Sequence, residues 1–278
     1  MSGDPVESVG ALSGVRISSD GTDQDDWDDH WNKYGEASIR NPANDYRHAL
    51  ILKLLGKVRP DTTLLDIGSG QGQFAIAYQK LHPEIAVWGV ELSRLGVRRS
   101  TQAAERAGVQ ANFIERDLLR PVQLAPNQPA ADYAVCSEVL EHVEDPTTLM
   151  RNAIRLLAPG AKVVVTVPGG PRSAFDKHIG HFRHYDAPGL NQVLTDAGLE
   201  VDRVFRAGFP VFNLYKLAVV ARGQKLVAEM NSCRVGVEPS SLEAAATRFF
   251  RRGFKFNLDD SPFGWQMAAL AHVLAGAH

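Results

Sequence analysis

Residues 64–74 read LLDIGSGQGQF, an apolar run ending in an acid, then a glycine-rich loop and the beginning of a helical pattern. Strand, loop and helix in that order form the unit from which parallel α/β sheets are built. Gly68, Gly70 and Gly72 are spaced G-x-G-x-G, which misses the dinucleotide fingerprint G-x-G-x-x-G by one residue, and the P-loop lysine is absent. The loop predicts a ligand crevice at this strand end, although a tight turn without a ligand would use the same glycines.

Beyond this loop, short apolar runs alternate with helical segments along most of the chain. Parallel strands need crossover connections and are covered on both faces. The alternation therefore predicts an α/β fold with a doubly wound, mostly parallel sheet of seven strands. The predicted strands are 62–67, 86–91, 111–117, 132–138, 161–168, 200–206 and 264–274.

Helical segments precede this sheet and interrupt it near its end. Apolar spacing from Asp45 to Gly56 predicts an amphipathic helix, and helix-like stretches at 211–229 and 241–252 lie in a segment too long for an ordinary connection. Residues rich in Ser, Gly and Asp at the start of the chain are expected to be disordered. The predicted organisation is a disordered tail (1–25), an N-terminal helical lid (26–58), a ligand-binding core (59–208), a helical insertion for substrate specificity (209–262), and the last core strand with the C-terminus (263–278).

The composition is that of a globular protein with a full core, since 44% of the 278 residues are hydrophobic and 22% are charged. Thirty Lys and Arg against 32 Asp and Glu give a net charge of −2, which speaks against a nucleic-acid partner. Cys136 and Cys233 have neither disulfide-framework nor CxxC spacing, which indicates a reducing compartment. Without a secretion signal or a membrane-spanning stretch, we expect a cytoplasmic protein with no stable membrane insertion.

Three acids follow successive predicted strands. Asp66, Glu91 and Asp117 end the first, second and third strands, and such ends line the ligand crevice of an open parallel sheet. A carboxylate directly before the glycine loop would repel a pyrophosphate at the same helix N-terminus. A ligand with a cationic amino-acid head and a ribose fits better, because Asp66 can lie near the ammonium group, Glu91 can accept the ribose hydroxyls, and Asp117 can accept an exocyclic amine.

The motifs resemble those of class I S-adenosylmethionine-dependent methyltransferases, in the same order and at the usual spacing, over residues 60–206. The segments that carry the resemblance are LLDIGSGQG, VWGVELS, FIERDLL, ADYAVCSEVLEHV and LLAPGAKVVVTVP. The resemblance implies a Rossmann-like methyltransferase fold that binds S-adenosylmethionine and releases S-adenosylhomocysteine. It implies a cofactor site in which Asp66, Gly68, Ser69 and Gly70 hold the methionyl part, Glu91 with Leu92 the ribose, and Asp117 with Leu118 the adenine, while Ser137 and Glu138 lie beneath the sulfonium and the acceptor.

The segment DKHIGHFRHYD, residues 176–186, follows the fifth strand and is the main candidate for catalysis. Methyl transfer is an in-line displacement, and a hydroxyl or N–H acceptor gains from a base, which an imidazole can provide near neutral pH. His181 and Tyr185 are the first catalytic candidates and His184 is the next. The alternative is that Tyr185 packs and its neighbours cap the following helix.

The substrate-binding candidates lie upstream and after the fourth strand. Tyr34, Tyr46 and Arg47 belong to an aromatic stretch with Trp27, Trp31 and His48 that could form a lid over a flat or cationic ligand, or could simply pack. His142 could face the pocket, although a helix-start role is the simpler interpretation. These four residues, Tyr34, Tyr46, Arg47 and His142, are the predicted substrate contacts.

Two further sequence patterns could indicate a metal site and a membrane contact, but each has a simpler explanation. Asp176, His178, His181 and His184 are metal-ligand types, but their spacing matches no standard zinc motif, so no metal site is predicted. The segment RFFRRGFKF, residues 248–256, could contact an anionic lipid surface, but a half-buried helix with a basic face is the commoner explanation.

These observations predict an S-adenosylmethionine-dependent methyltransferase acting on a small molecule, which we take to be a specialised and aromatic metabolite, with O, N or C as the acceptor atom. A lipid-linked or sugar acceptor is the second hypothesis. An NAD-type oxidoreductase and a catalytically silent binding subunit are the alternatives from other classes. A small-molecule substrate and no nucleic acid are the expected partners, and a homodimer is compatible with the sequence.

Overall fold

The computed structural model describes residues 15–17, 23–25, 27–224, 226–227 and 241–275. Two short antiparallel strands, β1 (Val15–Ile17) and β2 (Asp23–Asp25), pair with each other within the segment predicted as a tail. The rest of that predicted tail, apart from these two strands, lies outside the described residues.

A seven-stranded sheet forms the centre of the described structure, in the order β5-β4-β3-β6-β7-β9-β8. Its pairs are parallel except that β9 runs antiparallel to both β7 and β8. The predicted doubly wound, mostly parallel sheet is therefore confirmed. The strands are β3 (Thr63–Ile67), β4 (Ala86–Glu91), β5 (Ala111–Glu115), β6 (Ala131–Ser137), β7 (Leu157–Pro168), β8 (Leu199–Ala207) and β9 (Gln266–Val273).

Helices cover both faces of the sheet. The period of two along β3 sends Leu64 to one face, against α2 and α3, and Leu65 to the other, against the layer that includes α5 and α7. Both leucines are fully buried, as expected for parallel strands covered on both sides. The helices of this part of the chain are α1 (Trp27–Arg40), α2 (Pro42–Leu55), α3 (Gln73–Leu81), α4 (Arg94–Ala107), α5 (Pro146–Ile154), α6 (Ala174–His178) and α7 (Ala187–Asp196).

The predicted insertion before the last strand contains α8 (Val211–Ala221) and α9 (Ser241–Gly253). Helix α8 ends at Ala221, and after a turn at Arg222 the described residues 223–224 and 226–227 are helical again, while residues 225 and 228–240 lie outside the described ranges. Phe212 and Phe254 pack with Tyr46 of α2 in a separate apolar cluster. The insertion therefore docks on the N-terminal helical region. Among helices in the described ranges, none is long and apolar enough to cross a membrane.

Helix α2 begins earlier than the sequence pattern predicts, because its start is set by capping. The Asn41 side chain accepts a hydrogen bond from the Ala43 amide at 3.0 Å, and Pro42 occupies the first turn, where its missing N–H costs nothing. The helix ends at Gly56, whose φ of 65° is a conformation that glycine adopts readily.

Candidate active site

The glycine loop leaves β3 in a conformation that only glycines adopt easily. Gly68, Gly70 and Gly72 all have positive φ, between 55° and 74°. The Gly68 and Ser69 amides both donate to the Val90 carbonyl of β4, at 2.9 and 3.0 Å. These bonds fix the loop over the ends of two neighbouring strands, where the sequence placed the ligand crevice.

Glu91 at the end of β4 is joined to this loop. One carboxylate oxygen accepts the Gly70 amide at 2.8 Å and the other accepts the Ser93 amide at 2.9 Å. Glu91 is buried, and burial raises its pKa, whereas the backbone hydrogen bonds lower it. A carboxylate has about four lone-pair positions, so Glu91 can still accept from a ligand hydroxyl.

The other two predicted acids differ from each other. Asp66 is buried, and burial together with the charge of Glu91 raises its pKa to about 7. Asp117 accepts the Leu119 amide at 2.9 Å and pairs with Arg120 at 3.1 Å near the surface. Asp66 is therefore enclosed at the end of β3, whereas Asp117 is partly exposed beside the buried Leu118.

Helix α1 covers the glycine loop. A Cβ added at Gly70 would come within 2.8 Å of the Trp31 indole, and one at Gly96 within 3.3 Å, so the indole lies directly on both backbones. Asp28 anchors this helix by accepting the Leu95 amide at 3.0 Å and a hydrogen bond from the Ser93 hydroxyl. The position of α1 fits the predicted lid.

Ser137 and Glu138 end β6 beside these elements. The Ser137 hydroxyl shares a hydrogen bond with the Thr166 hydroxyl at 2.8 Å. Glu138 has a φ of 57°, an uncommon conformation for a residue with a side chain. Its carboxylate pairs with Arg47 at 2.8 Å and accepts a hydrogen bond from Gln266 at 2.8 Å. Arg47, predicted to bind substrate, thus holds a residue of the site.

A histidine cluster forms where the turn after β6 meets the segment after α6. The Phe182 amide donates to the Glu141 carbonyl at 2.8 Å and holds the two segments together. The His142 and His181 rings then lie with their centroids 4.5 Å apart, edge to face, and the His184 ring follows at 5.3 Å from His181. The structure therefore brings together three of the predicted histidines.

Hydrogen bonds assign the tautomers in this cluster. His184 Nδ1 lies 3.1 Å from the Gly170 carbonyl, which can only accept, so Nδ1 carries the proton. His184 Nε2 is then an acceptor and takes the proton of His181 Nδ1, 3.1 Å away. His181 Nε2 is then unprotonated, and its lone pair is used by no hydrogen bond among the described residues. Burial lowers the pKa of both His142 and His181, so both rings are neutral near pH 7.

Tyr185, predicted to be catalytic, is placed in the hydrophobic core. Its hydroxyl donates to the Leu140 carbonyl at 3.0 Å, and its side chain is buried among residues of the main cluster. Burial raises its pKa above the usual value. This placement supports a structural role for Tyr185 because the hydroxyl is already committed to the backbone.

Tyr46, predicted to bind substrate, also packs. Its ring lies 5.0 Å from that of Phe212 and 5.5 Å from that of Phe254, between α2 and the insertion. The Tyr46 ring therefore joins the insertion to α2, whereas its buried hydroxyl has no hydrogen-bond partner among the described residues. The side chain of Tyr34 lies outside the described part of the structure.

The sequence interpretation missed Glu141, which the cluster encloses. Glu141 has no exposed surface, and beyond its own backbone amide its carboxyl finds no donor among the described residues. Burial and the charge of Glu138 raise its pKa. An acid directly after Val139 and Leu140 is the signal in the sequence that could have identified it.

The fold and the site together define the class of Rossmann-like proteins that bind S-adenosylmethionine. Residues 39–204, more than half of the chain, match the family model described as a methyltransferase domain. The chain belongs to this family, the class I S-adenosylmethionine-dependent methyltransferases, whose cofactor is S-adenosylmethionine. The resemblance seen in the sequence motifs is thereby confirmed.

Individual proteins show the same likeness. A ubiquinone biosynthesis O-methyltransferase from Serratia proteamaculans is 28% identical over 133 residues, which are 48% of this chain and 53% of that protein. The chain thus spans about half the length of this relative. A methyltransferase from Aquifex aeolicus has a TM-score of 0.54 at 14% identity, covering 86% of this chain and 96% of that one. The cyclase SpnF has a TM-score of 0.55 at 20% identity, and the match covers 84% of this chain and 82% of that one.

The residues present fit this cofactor. The Ser69 hydroxyl is buried in the glycine loop and has no hydrogen-bond partner within the described ranges. Glu91 supplies a buried carboxylate at the ribose position implied by the resemblance, and Leu92 continues the chain beside it. Asp66 supplies a second acid behind the loop. An unsatisfied hydroxyl beside two buried acids suits a ligand that carries hydroxyl and ammonium donors.

Proposed function

We propose that this protein transfers the methyl group of S-adenosylmethionine to a hydroxyl oxygen of a small aromatic molecule. The observation that carries the proposal is the free lone pair of His181 Nε2. It is free because His184 donates its Nδ1 proton to the Gly170 carbonyl, so that His184 Nε2 accepts the Nδ1 proton of His181. A neutral imidazole with this lone pair can accept a hydroxyl proton. The O-methyltransferase name of the Serratia relative supports an oxygen acceptor.

The cofactor would be held by the glycine loop, Ser69 and Glu91, and it supplies an electrophilic methyl group on a sulfonium. Every other part of the reaction falls to side chains of this chain. Arg47 and Gln266 hold the Glu138 carboxylate in place at the end of β6. His181 takes the proton of the acceptor hydroxyl at Nε2, and His184 keeps the His181 ring in the tautomer that allows this. Helix α1 excludes water from the crevice.

An acceptor panel tests the substrate class. The purified protein is incubated with S-adenosylmethionine and phenols, catechols, indoles and sugars, and the products are identified by mass. We expect methylation of free aromatic hydroxyls and none of the same compounds supplied as methyl ethers. Turnover of indoles or sugars without turnover of phenols would contradict the proposal.

Variants of two neighbouring residues test the proton acceptor. His181→Phe removes the lone pair and is expected to lower kcat by about 10²–10⁴-fold with little change in cofactor affinity. Tyr185→Phe is the matched control, since within the described residues its hydroxyl bonds to the Leu140 carbonyl alone, and kcat should stay within about threefold of the parent. Full turnover by His181→Phe would remove His181 from the mechanism.

A lipid-linked aromatic acceptor is the second candidate, favoured by the surface of the insertion. Leu214 and Leu217 of α8 and Phe249 of α9 are each more than half exposed. Arg251 and Arg252 lie in the last turn of α9, where Arg251 pairs with Asp45 at 2.6 Å. Apolar side chains next to basic ones suit a headgroup and acyl boundary. A small soluble acceptor, turned over in the cytoplasm, remains the primary proposal. The second candidate would be favoured if lengthening a prenyl tail on the phenol lowers KM.

A further inference from the structure

The histidine cluster contains an acid that the proposed proton transfer does not use. Glu141 is fully buried and, apart from its own amide, its carboxyl has no donor within the described residues. The His142 Nδ1 atom is buried and likewise has no partner there. Burying polar atoms without partners costs free energy, so a ligand that satisfies them would be stabilising.

These groups are arranged as a set of ligands. One ligand atom from each of Glu141, His142 and His181 lies within 4.8 Å of the other two. The tautomer of His181 leaves Nε2 free, and the unpartnered Nδ1 of His142 can supply the second nitrogen. Two imidazoles and one carboxylate are a donor set that suits divalent transition metals rather than Mg²⁺ or Ca²⁺.

The surroundings of the set also match a metal site. A ligating histidine commonly donates its other ring N–H to a neighbouring group, which fixes the ring. His181 donates Nδ1–H to His184, and His184 in turn donates to the Gly170 carbonyl. The turn at Leu140–His142 is held to the second segment by the bond from the Phe182 amide, so the three ligands are positioned before any ion binds.

A neighbouring set, Asp176 with His181 and His184, is equally compact. Its ligand atoms, however, already have hydrogen-bond or ion-pair partners. Asp176 pairs with Lys216 at 3.1 Å and accepts hydrogen bonds from the Ser173 amide and hydroxyl at 2.8 and 2.7 Å. His184 Nε2 is occupied by His181. We propose that Glu141, His142 and His181 bind a divalent transition metal ion of the Zn²⁺ class.

The sequence spacing could not predict this site, because its ligands come from two segments about forty residues apart. The ion would use the same His181 lone pair that the proposed function assigns to the acceptor proton. In the metal-bound protein, an acceptor hydroxyl bound to the ion would have a lowered pKa and lose its proton to solvent. This consequence rests on the proposed function, whereas the binding of the ion does not.

Metal content tests the assignment directly. Protein made without a histidine tag is stripped with a chelator, incubated with Zn²⁺, dialysed and measured by mass spectrometry for metal. We expect roughly one ion per chain in the parent. Co²⁺ in place of Zn²⁺ should give visible absorption bands of a nitrogen- and oxygen-ligated site. A parent protein that retains no Zn²⁺ would overturn the proposal, even if it methylates phenols.

Variants separate the two neighbouring sets. Glu141→Gln keeps the volume of the side chain and should abolish the retained Zn²⁺ and the Co²⁺ bands, as should His142→Ala. His178→Ala, which changes a histidine outside both sets, is the control and should retain the ion. Calorimetric binding of S-adenosylhomocysteine by Glu141→Gln shows that this variant is folded. Retention of the ion by Glu141→Gln together with its loss in Asp176→Asn would place the metal in the other set and contradict the assignment.

Discussion

Asp66 shows how a single residue of the site affects the whole fold. The Asp66 carboxyl is buried, and this burial together with the charge of Glu91 raises its pKa from 3.8 to about 7. The Ala75 amide, which opposes this shift by hydrogen bonding, offsets only part of it. The ionised form is therefore less stable in the folded protein than in the unfolded chain, and Asp66 is retained at a cost to stability.

This cost predicts a pH dependence. Between about pH 4 and pH 7 the unfolded chain has lost the Asp66 proton while the folded protein keeps it, so this group's contribution to stability is greatest at low pH and is lost as the pH rises to about 7. Asp66→Asn removes that loss. The free energy of unfolding of the variant, relative to the parent, should increase by about 2 kcal/mol from about pH 5 to about pH 8.

Urea unfolding of both proteins at each pH measures this difference directly. The comparison between variant and parent cancels the titration of the groups that do not interact with Asp66, and Glu91 is the neighbour whose charge acts on it. A relative stability that does not change with pH, or that falls as the pH rises, would show that Asp66 is ionised normally in the folded protein.

At the scale of elements, the strands could be predicted closely and the contacts between distant segments could not. Each core strand follows from an apolar run bounded by polar or glycine residues, and a run buried on both faces leaves little choice of element. The last strand, β9, was placed correctly, but its Gln266 hydrogen-bonds Glu138 across 128 positions of sequence. No local pattern reports such a partner.

The same reasoning explains which parts of the site could be predicted. Asp66, the glycine loop and Glu91 are identified by their positions at strand ends, which is a local property. Tyr185 and Tyr46 look like site residues in the sequence, but their burial depends on tertiary packing against Leu140 and Phe212. The apolar neighbours Val139 and Leu140 are the local signal for Glu141, but its enclosure depends on the distant segment whose Phe182 amide donates to the Glu141 carbonyl.

Helix α1 carries the prediction that belongs to this scale. Trp31 lies on Gly70 and Gly96, so we expect that α1 must move before the cofactor reaches the glycine loop. Trp31→Ala should raise the association rate of S-adenosylhomocysteine by about 3–10-fold, because a larger fraction of the molecules is open to binding. Stopped-flow mixing measures the rate from intrinsic fluorescence.

Trp27→Ala is the control for this variant. Trp27 belongs to the same helix and packs on His142 and Trp31, with 5.1 and 6.2 Å between ring centroids, but the indole that lies on Gly70 and Gly96 is that of Trp31. The association rate of Trp27→Ala should equal that of the parent. Equal rates in all three proteins would mean that α1 does not limit access to the site.

At the scale of the whole molecule, cofactor binding and acceptor binding are proposed for two different regions. The ends of β3 and β4 carry the residues that we propose hold the cofactor, and the histidine cluster after β6 and α6 carries those that we propose meet the acceptor. The N-terminal helices and the insertion pack on each other through Tyr46, Phe212 and Phe254. We therefore expect acceptor choice to depend on both regions together.

The measurement that tests the central claim most directly is a calorimetric titration of the purified protein with S-adenosylhomocysteine and, separately, with NAD. We predict micromolar-range binding of S-adenosylhomocysteine and no binding of NAD. Glu91→Ala should weaken the first by about one to two decades, since it removes charge-assisted hydrogen bonds worth roughly 1.5–3 kcal/mol. Binding of NAD without a response to S-adenosylhomocysteine, or unchanged affinity in a folded Glu91→Ala protein, would contradict the assignment of the cofactor site.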